Sequence, residues 1–264
     1  MIIVKVPVEN SSDSLGCRKA GNEIIKKLPN RFINESRKVI EKANLDFEEI
    51  HLNNKNLKQA NNLIYKNSLE IISGNEKTIF LGGDHSMSYE IGKAFMEVCN
   101  TENNEPFLIV FDAHADCSKY EGIPNNIQWL RALIDEGFPK ENIILIGLRK
   151  FSEDEINYLD SRQIRRYGMK DILDFQEICD IVMELSRQYQ IYLSIDVDVV
   201  DSAFVPGTYR RESGGFTSRQ LLYFIQRLNI LKNLRVIDIN EINPDLDTNS
   251  VTVDLGVKIL LEVL

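Results

Sequence analysis

Residues 107–116 read FLIVFDAHAD, and this stretch determines both the expected fold class and the expected position of the chemistry. Its first half, Phe107–Phe111, is a continuous apolar run of the kind found in strands that are covered on both faces in a parallel sheet. Its second half places Asp112, His114 and Asp116 at alternate positions directly after that run. Ligands of open α/β sheets bind beyond the carboxyl ends of the strands. We therefore expect a buried strand that carries polar side chains to a site at its end.

Similar apolar runs recur along the chain and alternate with amphipathic stretches that predict helices. The other predicted strands are Ile2–Val6, Thr78–Leu81, Ile143–Ile146, Ile191–Ile195 and Leu234–Ile237. The predicted helices are Cys17–Lys27, Leu57–Ile72, Tyr89–Val98, Ile127–Glu136, Phe175–Gln188, Ser218–Leu231 and Asp254–Leu264. This alternation predicts a three-layer α/β/α fold with a mostly parallel, doubly wound sheet. No repeat or Pro/Gly-rich linker divides the chain, so we predict one catalytic domain over residues 1–264.

Composition narrows the class of protein. The chain has 264 residues, of which 43% are hydrophobic and 27% are charged, as in ordinary globular proteins. Its net charge of −9 argues against nucleic-acid binding, which needs lysine and arginine to displace counterions. The four cysteines are scattered without a CxxC pair, which favours reduced intracellular thiols. No signal-peptide pattern or membrane-spanning run is present, so we expect a cytoplasmic protein without a membrane partner.

Unusual polar residues follow four of the predicted strands. They are residues 82–86 (GGDHS), 112–116 (DAHAD), 196–198 (DVD) and 238–241 (DINE). Alternate residues of an extended chain share a face, so the polar residues of 112–116 are predicted to project together, and so are Asp196 and Asp198. The small or apolar residues between them can pack behind.

Four converging aspartates would not all stay ionised without compensation. Two divalent cations balance those four negative charges, which favours a site with two metals. Mixed imidazole and carboxylate ligands suit Mn²⁺, Fe²⁺, Co²⁺ or Zn²⁺, whereas two imidazoles are unusual for Ca²⁺ or Mg²⁺ and the lack of thiolate weakens a structural zinc site. A metal pair lowers the pKa of a shared water, which makes hydrolysis the natural reaction. The alternative, that each acidic cluster is a solvated loop end, does not account for three such motifs at the ends of buried strands.

These motifs resemble those of the ureohydrolases, the family of arginase, agmatinase and formiminoglutamase, from about Thr78 to the C-terminus. Residues 82–86, 112–116 and 194–201 look like the family's metal signatures. Residues 203–208 (AFVPGT) and 214–217 (GGFT) resemble the agmatinase branch, and 241–244 (EINP) is similar to the family's EVxP motif. The resemblance implies the arginase/deacetylase-like fold and hydrolysis of a guanidino or amidino compound, such as arginine or agmatine, to an amine and urea by a hydroxide that bridges two Mn²⁺ ions. Fe²⁺, Co²⁺, Ni²⁺ or Zn²⁺ could replace manganese.

The resemblance also assigns the metal ligands. One ion would be held by His85, Asp112, Asp116 and Asp196, and the other by Asp112, His114, Asp196 and Asp198. Asp112 and Asp196 would bridge the ions, and Asp116 would also orient the hydroxide.

The resemblance assigns one carboxylate of the protein to substrate binding. Glu241 would pair with the guanidinium or amidine, because a carboxylate matches a planar cationic fork. Asp84 is expected to be a structural hydrogen-bonding residue and not a ligand. The deacetylases, which share this fold with a single zinc, are disfavoured by the complete ligand set together with Glu241.

A histidine that shuttles protons in most relatives, about ten to thirteen residues beyond DxHxD, is missing. The third histidine of the chain, His51, lies far upstream and is expected at the surface. Alignment through Tyr120–Pro124 places Asn126 at the catalytic shuttle position, or Asn125 if the gap shifts. Asparagine cannot carry a proton at pH 7, which leaves open a metal-binding homologue with weak activity.

The loop at residues 209–213 (YRRES) replaces a GTPEP-like run of the relatives. Arg210 or Arg211 could bind a substrate carboxylate and repel a doubly cationic substrate such as agmatine. This favours an acidic substrate of the formiminoglutamase type as the alternative, unless both arginines point into solvent. Cys117 beside the metal motif is expected to be incidental. By resemblance, we expect a small-molecule substrate and a homo-oligomer, a trimer or hexamer.

Overall fold

Eight parallel strands form the central sheet of the structure, a computed structural model that describes residues 1–264. In chain order these strands are β1 (Ile2–Val6), β4 (Asp46–Glu49), β5 (Thr78–Gly82), β6 (Pro106–Phe111), β7 (Ile143–Leu148), β8 (Arg165–Gly168), β9 (Gln190–Asp196) and β10 (Leu234–Asn240). The spatial order is β4-β1-β5-β10-β9-β6-β7-β8. A separate antiparallel hairpin joins β2 (Arg31–Ile33) and β3 (Val39–Glu41).

Helices cover both faces of the sheet. They are α1 (Ala20–Lys27), α2 (Leu57–Gly74), α3 (Met87–Thr101), α4 (Trp129–Asp135), α5 (Glu153–Arg162), α6 (Phe175–Ser186), α7 (Ser218–Leu228) and α8 (Val251–Val263). Alternate residues of each strand enter two separate hydrophobic cores, as Phe107 and Leu108 do in β6. The first core is closed by α1, α6, α7 and α8, and the second by α2, α3, α4 and α5. The predicted three-layer α/β/α fold is therefore confirmed. No helix is long and apolar enough to cross a membrane.

All six predicted strands and all seven predicted helices are present, with ends shifted by at most three residues, as at Ile237 against Asn240. The strands that sequence reasoning missed in the main sheet, β4 (DFEE) and β8 (RRYG), are the two edge strands. Edge strands carry charges that block pairing with other chains, so they lack the continuous apolar run of a buried strand. The missed helix α5 has an overall polar sequence, but its capping box of Ser152 and Glu155 was a usable signal.

The order of the strands in the sheet brings the four polar motifs together. The strands β5, β10, β9 and β6 are consecutive neighbours at the centre of the sheet, although they are far apart in the chain. Each of them carries one of the four polar motifs at its carboxyl end. Because all strands are parallel, these four motifs meet at the same edge of the sheet.

Candidate active site

The two histidines of the motifs lie in one buried cluster with four aspartates. His85 Nδ1 is 3.1 Å from Asp116 Oδ2, 3.2 Å from Asp112 Oδ2 and 3.3 Å from Asp196 Oδ2. None of these four residues has more than 4% of its surface exposed. The arrangement brings together the four residues that the resemblance assigned to one ion.

The second histidine forms an adjoining group. His114 Nδ1 is 2.8 Å from Asp198 Oδ2 and 3.5 Å from Asp112 Oδ1. Asp112 therefore faces His85 with one oxygen and His114 with the other. This is the position that a carboxylate bridging two ions would occupy.

Two atoms of the cluster show that it suits a metal. His85 Nδ1 and Asp112 Oδ2 are both buried and form no hydrogen bond. Burying a polar atom without a partner is unfavourable, and such atoms are rare in native proteins. The potential ligand atoms of His85, Asp112 and Asp116 lie within 4.8 Å of one another, as do those of Asp112, His114 and Asp198. A divalent cation in the first group would satisfy both unpartnered atoms, and the second group offers ligand atoms for another cation, so the residues present fit a binuclear centre.

Charge repulsion in the cluster supports the same conclusion. Burial, with the charges of Asp198 and Asp112, holds the pKa of Asp196 well above its ordinary value. Burial works against protonation of His114, but Asp198 and Asp112 raise its pKa to about 11. Without cations the cluster therefore holds protons to relieve its negative charge. Metal binding is expected to release those protons and to weaken as the pH falls.

The backbone of the motifs corrects one part of the sequence reasoning. Asp196 is the last residue of β9, but the proposed ligands Asp112, Asp116 and Asp198 lie beyond the strands. Strand β6 ends at Phe111, and Asp116 has a left-handed φ of 47°. Asp198 lies in a 3₁₀ turn after β9. Alternate residues instead converge through side-chain turns, in which Asp112 Oδ1 accepts from the His114 amide at 2.6 Å and Asp196 Oδ1 accepts from the Asp198 amide at 2.8 Å.

A buried hydrogen-bond chain orients the His85 ring. His85 Nε2 lies 2.9 Å from Ser194 Oγ, which donates to Asp238 Oδ1 at 2.8 Å. Ser88 Oγ and the Tyr192 hydroxyl donate to the other oxygen of Asp238. With Nε2 engaged in this chain, Nδ1 is left facing the aspartates. Partners of this kind fix the orientation of metal-binding histidines.

Glu241 lies beside the cluster in a strained backbone conformation. Its φ is 59°, and only 4% of its surface is exposed. Oε1 accepts hydrogen bonds from the His85 amide at 2.9 Å and from Asn126 Nδ2 at 3.1 Å. Burial and the nearby charge of Asp84 raise the pKa of Glu241 to about 8. Non-glycine residues in this conformation cluster at functional sites.

The structure distinguishes between the two asparagines at the shuttle position. Asn126 is buried and points at Glu241, whereas the Asn125 side chain accepts from the Ile127 amide within its own loop at 3.1 Å. Trp129, just downstream, was not predicted for the site; its Nε1 donates to Asp116 Oδ2 at 2.9 Å.

Three other expectations concern Asp84, His51 and Cys117. Asp84 is fully buried, and its Oδ2 accepts from the Asn10 amide at 2.5 Å and from Ser14 Oγ at 2.6 Å. It therefore ties the N-terminal loop to the site, as expected of a structural residue. His51 lies at the surface with 89% of its side chain exposed. Cys117 is buried and contributes no ligand atom to either metal-binding group.

The loop at 209–213 separates the two arginines. Arg210 Nη1 lies 3.6 Å from Asp116 Oδ1, and 32% of its side chain is exposed. Arg211 is exposed and is not brought into the site. Sequence reasoning missed Glu212, whose Oε1 lies 3.8 Å from His114 Nε2. The glutamate of the relatives' GTPEP-like run was the signal that could have identified it.

A three-layer α/β/α fold with this buried histidine–aspartate cluster at the carboxyl edge of its sheet is compatible with a hydrolase that has a metal site. The Arginase family model matches residues 1–264, and the chain belongs to this family of hydrolases that act on amidino compounds.

The relatives of the chain are named for different activities. The chain is 31% identical over 209 residues to an arginase of Staphylococcus aureus (strain MRSA252), a match that covers 72% of this chain and 68% of the relative. It is 34% identical over 198 residues to a formimidoylglutamase of Halalkalibacterium halodurans, covering 72% of this chain and 61% of that protein. The crystal structure of formimidoylglutamase from Bacillus subtilis superposes with a TM-score of 0.87 at 24% identity and covers 99% of this chain and 85% of its own, which supports the fold.

Proposed function

We propose that this protein hydrolyses a guanidino or formimino compound at a centre of two Mn²⁺ ions. The observation that carries the proposal is the shared position of Asp112 between two buried histidine–aspartate groups. Six residues would hold the ions: His85, Asp112, His114, Asp116, Asp196 and Asp198. When bound, a pair of divalent ions lowers the pKa of water and polarises the substrate.

Protein groups around the cluster would bind and orient the substrate. Glu241 offers a buried carboxyl group to the planar cation of a guanidinium or amidine. The positive charge of the substrate would stabilise the ionised carboxylate, which burial disfavours. Asn126 donates a hydrogen bond to Glu241 and would hold the Glu241 carboxylate beside the cluster. The indole of Trp129 would hold Asp116 toward the reacting end of the substrate.

The remaining part of the substrate is proposed to carry a carboxylate. Arg210 reaches the site from the loop that differs from the relatives, and its guanidinium matches a carboxylate with two parallel hydrogen bonds. Arginine and formiminoglutamate both carry such a group, whereas agmatine does not. The names of the relatives, arginase and formimidoylglutamase, fit this class of substrate. A homo-oligomer of three or six chains is also proposed, by resemblance alone. A cytoplasmic location is proposed from the scattered cysteines.

Screening guanidino and formimino compounds with manganese-loaded protein tests this function. Urea, formamide and ammonia are measured, and metal-free protein serves as the control. Release of urea identifies a guanidino substrate, and release of formamide or ammonia from a formimino compound identifies the second class. If the loaded protein binds two ions but turns over none of these compounds, the hydrolase proposal is overturned in favour of a metal-binding homologue.

Replacing Arg210 should change selectivity more than overall activity. Arg210→Ala is expected to lower kcat/KM on carboxylate-bearing substrates by about 10- to 100-fold, the range for one charge-assisted contact, and to leave agmatine unchanged or improved. The matched control is Arg211→Ala, because this neighbouring arginine is exposed and does not reach the cluster. An equal effect of Arg210→Ala on acidic and non-acidic substrates would remove it from carboxylate recognition.

Restoring a histidine at the shuttle position should accelerate guanidino hydrolysis. Positioned general acid–base groups contribute roughly 10²- to 10⁴-fold, and Asn126 cannot transfer a proton. We expect Asn126→His to raise kcat on arginine or agmatine, measured by urea release. Asn125→His is the control, because that side chain faces its own loop. A wild type as fast as ordinary arginases would instead show that the leaving amine takes its proton by another route.

A further inference from the structure

Arg149, the residue directly after β7, has an unusual set of partners. Its guanidinium donates to six main-chain carbonyl oxygens and to no carboxylate. They belong to Gly147 (3.2 Å), Asp198 (2.7 Å), Val199 (3.1 Å), Val200 (3.3 Å), Glu212 (2.9 Å) and Ser213 (3.2 Å). Three of these carbonyls lie in the turn that carries the Asp198 side chain into the metal cluster.

The main chain of Arg149 connects to a second metal-binding segment. Its amide donates at 2.9 Å to the carbonyl of Ala113, the residue between Asp112 and His114. Arg149 therefore contacts the segment that carries His114 through its main chain only. Its side chain contacts the turn that carries Asp198 and the loop that follows Arg210. None of its contacts reaches residues 82–86, which carry His85.

The space around the guanidinium is closely fitted. A Cβ atom added to Gly215 would lie 2.5 Å from Arg149 Nη2 and 2.5 Å from the carbonyl oxygen of Val199. A side chain at position 215 would therefore displace the guanidinium, the Asp198 turn or both. Glycine at this position lets the loop and the turn close on the same side chain.

We propose that Arg149 is a positioning residue whose guanidinium holds the turn that carries Asp198 in place for the ion near His114 and Asp198, an inference that rests on the proposed binuclear site. The ion near His114 and Asp198 depends on the geometry that Arg149 fixes. The ion near His85 and Asp116 does not, because Arg149 contacts neither of those residues.

A lysine cannot replace this arrangement. Its ammonium carries three donors at one point, whereas the guanidinium presents five donors in a rigid plane. Arg149→Lys keeps the positive charge near the aspartates but cannot span carbonyls from three segments. Loss of outer partners of metal ligands typically lowers metal affinity by about 10- to 100-fold.

Calorimetric titration with Mn²⁺, combined with elemental analysis, tests the inference on the full chain. Arg149→Lys is expected to bind its first ion as the wild type does and its second about 10- to 100-fold more weakly. Arg235→Lys is the matched control, because Arg235 is also largely buried, with 11% of its side chain exposed, but pairs with Glu102 away from the cluster. Gly215→Ala retains Arg149 but crowds the contact between its guanidinium and the Val199 carbonyl oxygen, so it should show the same selective loss if Arg149→Lys does not fold.

Two results would overturn the inference. Wild-type affinity for both ions in the folded Arg149→Lys or Gly215→Ala variant excludes a positioning role, and so does an equal weakening of both ions. In either case a wild type that binds two ions leaves the proposed centre intact. A wild type that binds a single ion overturns the binuclear centre, and this inference with it.

Discussion

Asp112→Asn is expected to remove both divalent ions and to lower kcat/KM by about a thousandfold or more. Asp112 faces His85 with one oxygen and His114 with the other, so its substitution damages both groups at once. The new amide would place a donor where Oδ2 now lies 3.2 Å from His85 Nδ1. Metal ions contribute several kcal/mol to transition-state stabilisation, and each 1.4 kcal/mol corresponds to about tenfold in rate. Elemental analysis and steady-state kinetics measure the two effects.

Two variants serve as controls for this result. His114→Ala should cost mainly one ion, because His114 belongs to only one of the two groups. Asp84→Asn also alters a buried aspartate, but one that accepts hydrogen bonds from Asn10 and Ser14 and should leave two ions bound. If Asp112→Asn retains one ion at full affinity, Asp112 is not a bridging ligand. One ion per chain in the fully loaded wild type would contradict the binuclear centre itself.

Glu241→Gln is expected to reduce kcat/KM by roughly 10- to 1000-fold without changing the metal content. Glutamine can still accept from the His85 amide and from Asn126, so the local structure should survive. What is lost is the negative charge opposite the substrate cation, a buried charge-assisted contact worth about 1.5 to 3 kcal/mol or more. Kinetics on the substrate found by screening, with metal analysis in parallel, measures the outcome.

Glu262→Gln is the matched control for Glu241→Gln. Glu262 is equally buried but lies in α8, where it accepts from Gln226 and from the Glu35 amide. It should change stability and leave kcat/KM on the substrate intact. Loss of metal in Glu241→Gln would make Glu241 a ligand and contradict its assignment to the substrate.

Sequence patterns predicted the parts of the site that lie close together in the chain better than the contacts between distant residues. The six proposed ligands lie within or directly after buried strands, and each pair in a motif is two or four residues apart. The reason given for their convergence was nevertheless wrong, because Asp112 and Asp196 turn the chain through hydrogen bonds to the amides two residues on. Spacing therefore singled out the proposed ligands, while the turns that orient their side chains became visible only in the structure.

Contacts between distant parts of the chain were the hardest to predict. Asn126 and Glu241 are 115 positions apart, and only the packing of their loops shows that Asn126, and not Asn125, faces the site. The same holds for Arg149, which no motif singled out. Its partners Asp198 and Glu212 lie 49 and 63 positions away.

By itself, the sequence determined the fold class, the buried strands and the residue types of the proposed two-metal site, because apolar runs and the polar residues after them are local features of the chain. Only the tertiary structure decided that β5, β10, β9 and β6 are neighbours and that Asp112 lies between both histidines. It also decided that Arg210 reaches the site while Arg211 stays exposed. Strand order and side-chain direction depend on how helices and loops pack over the whole molecule, and no short stretch of sequence contains that information.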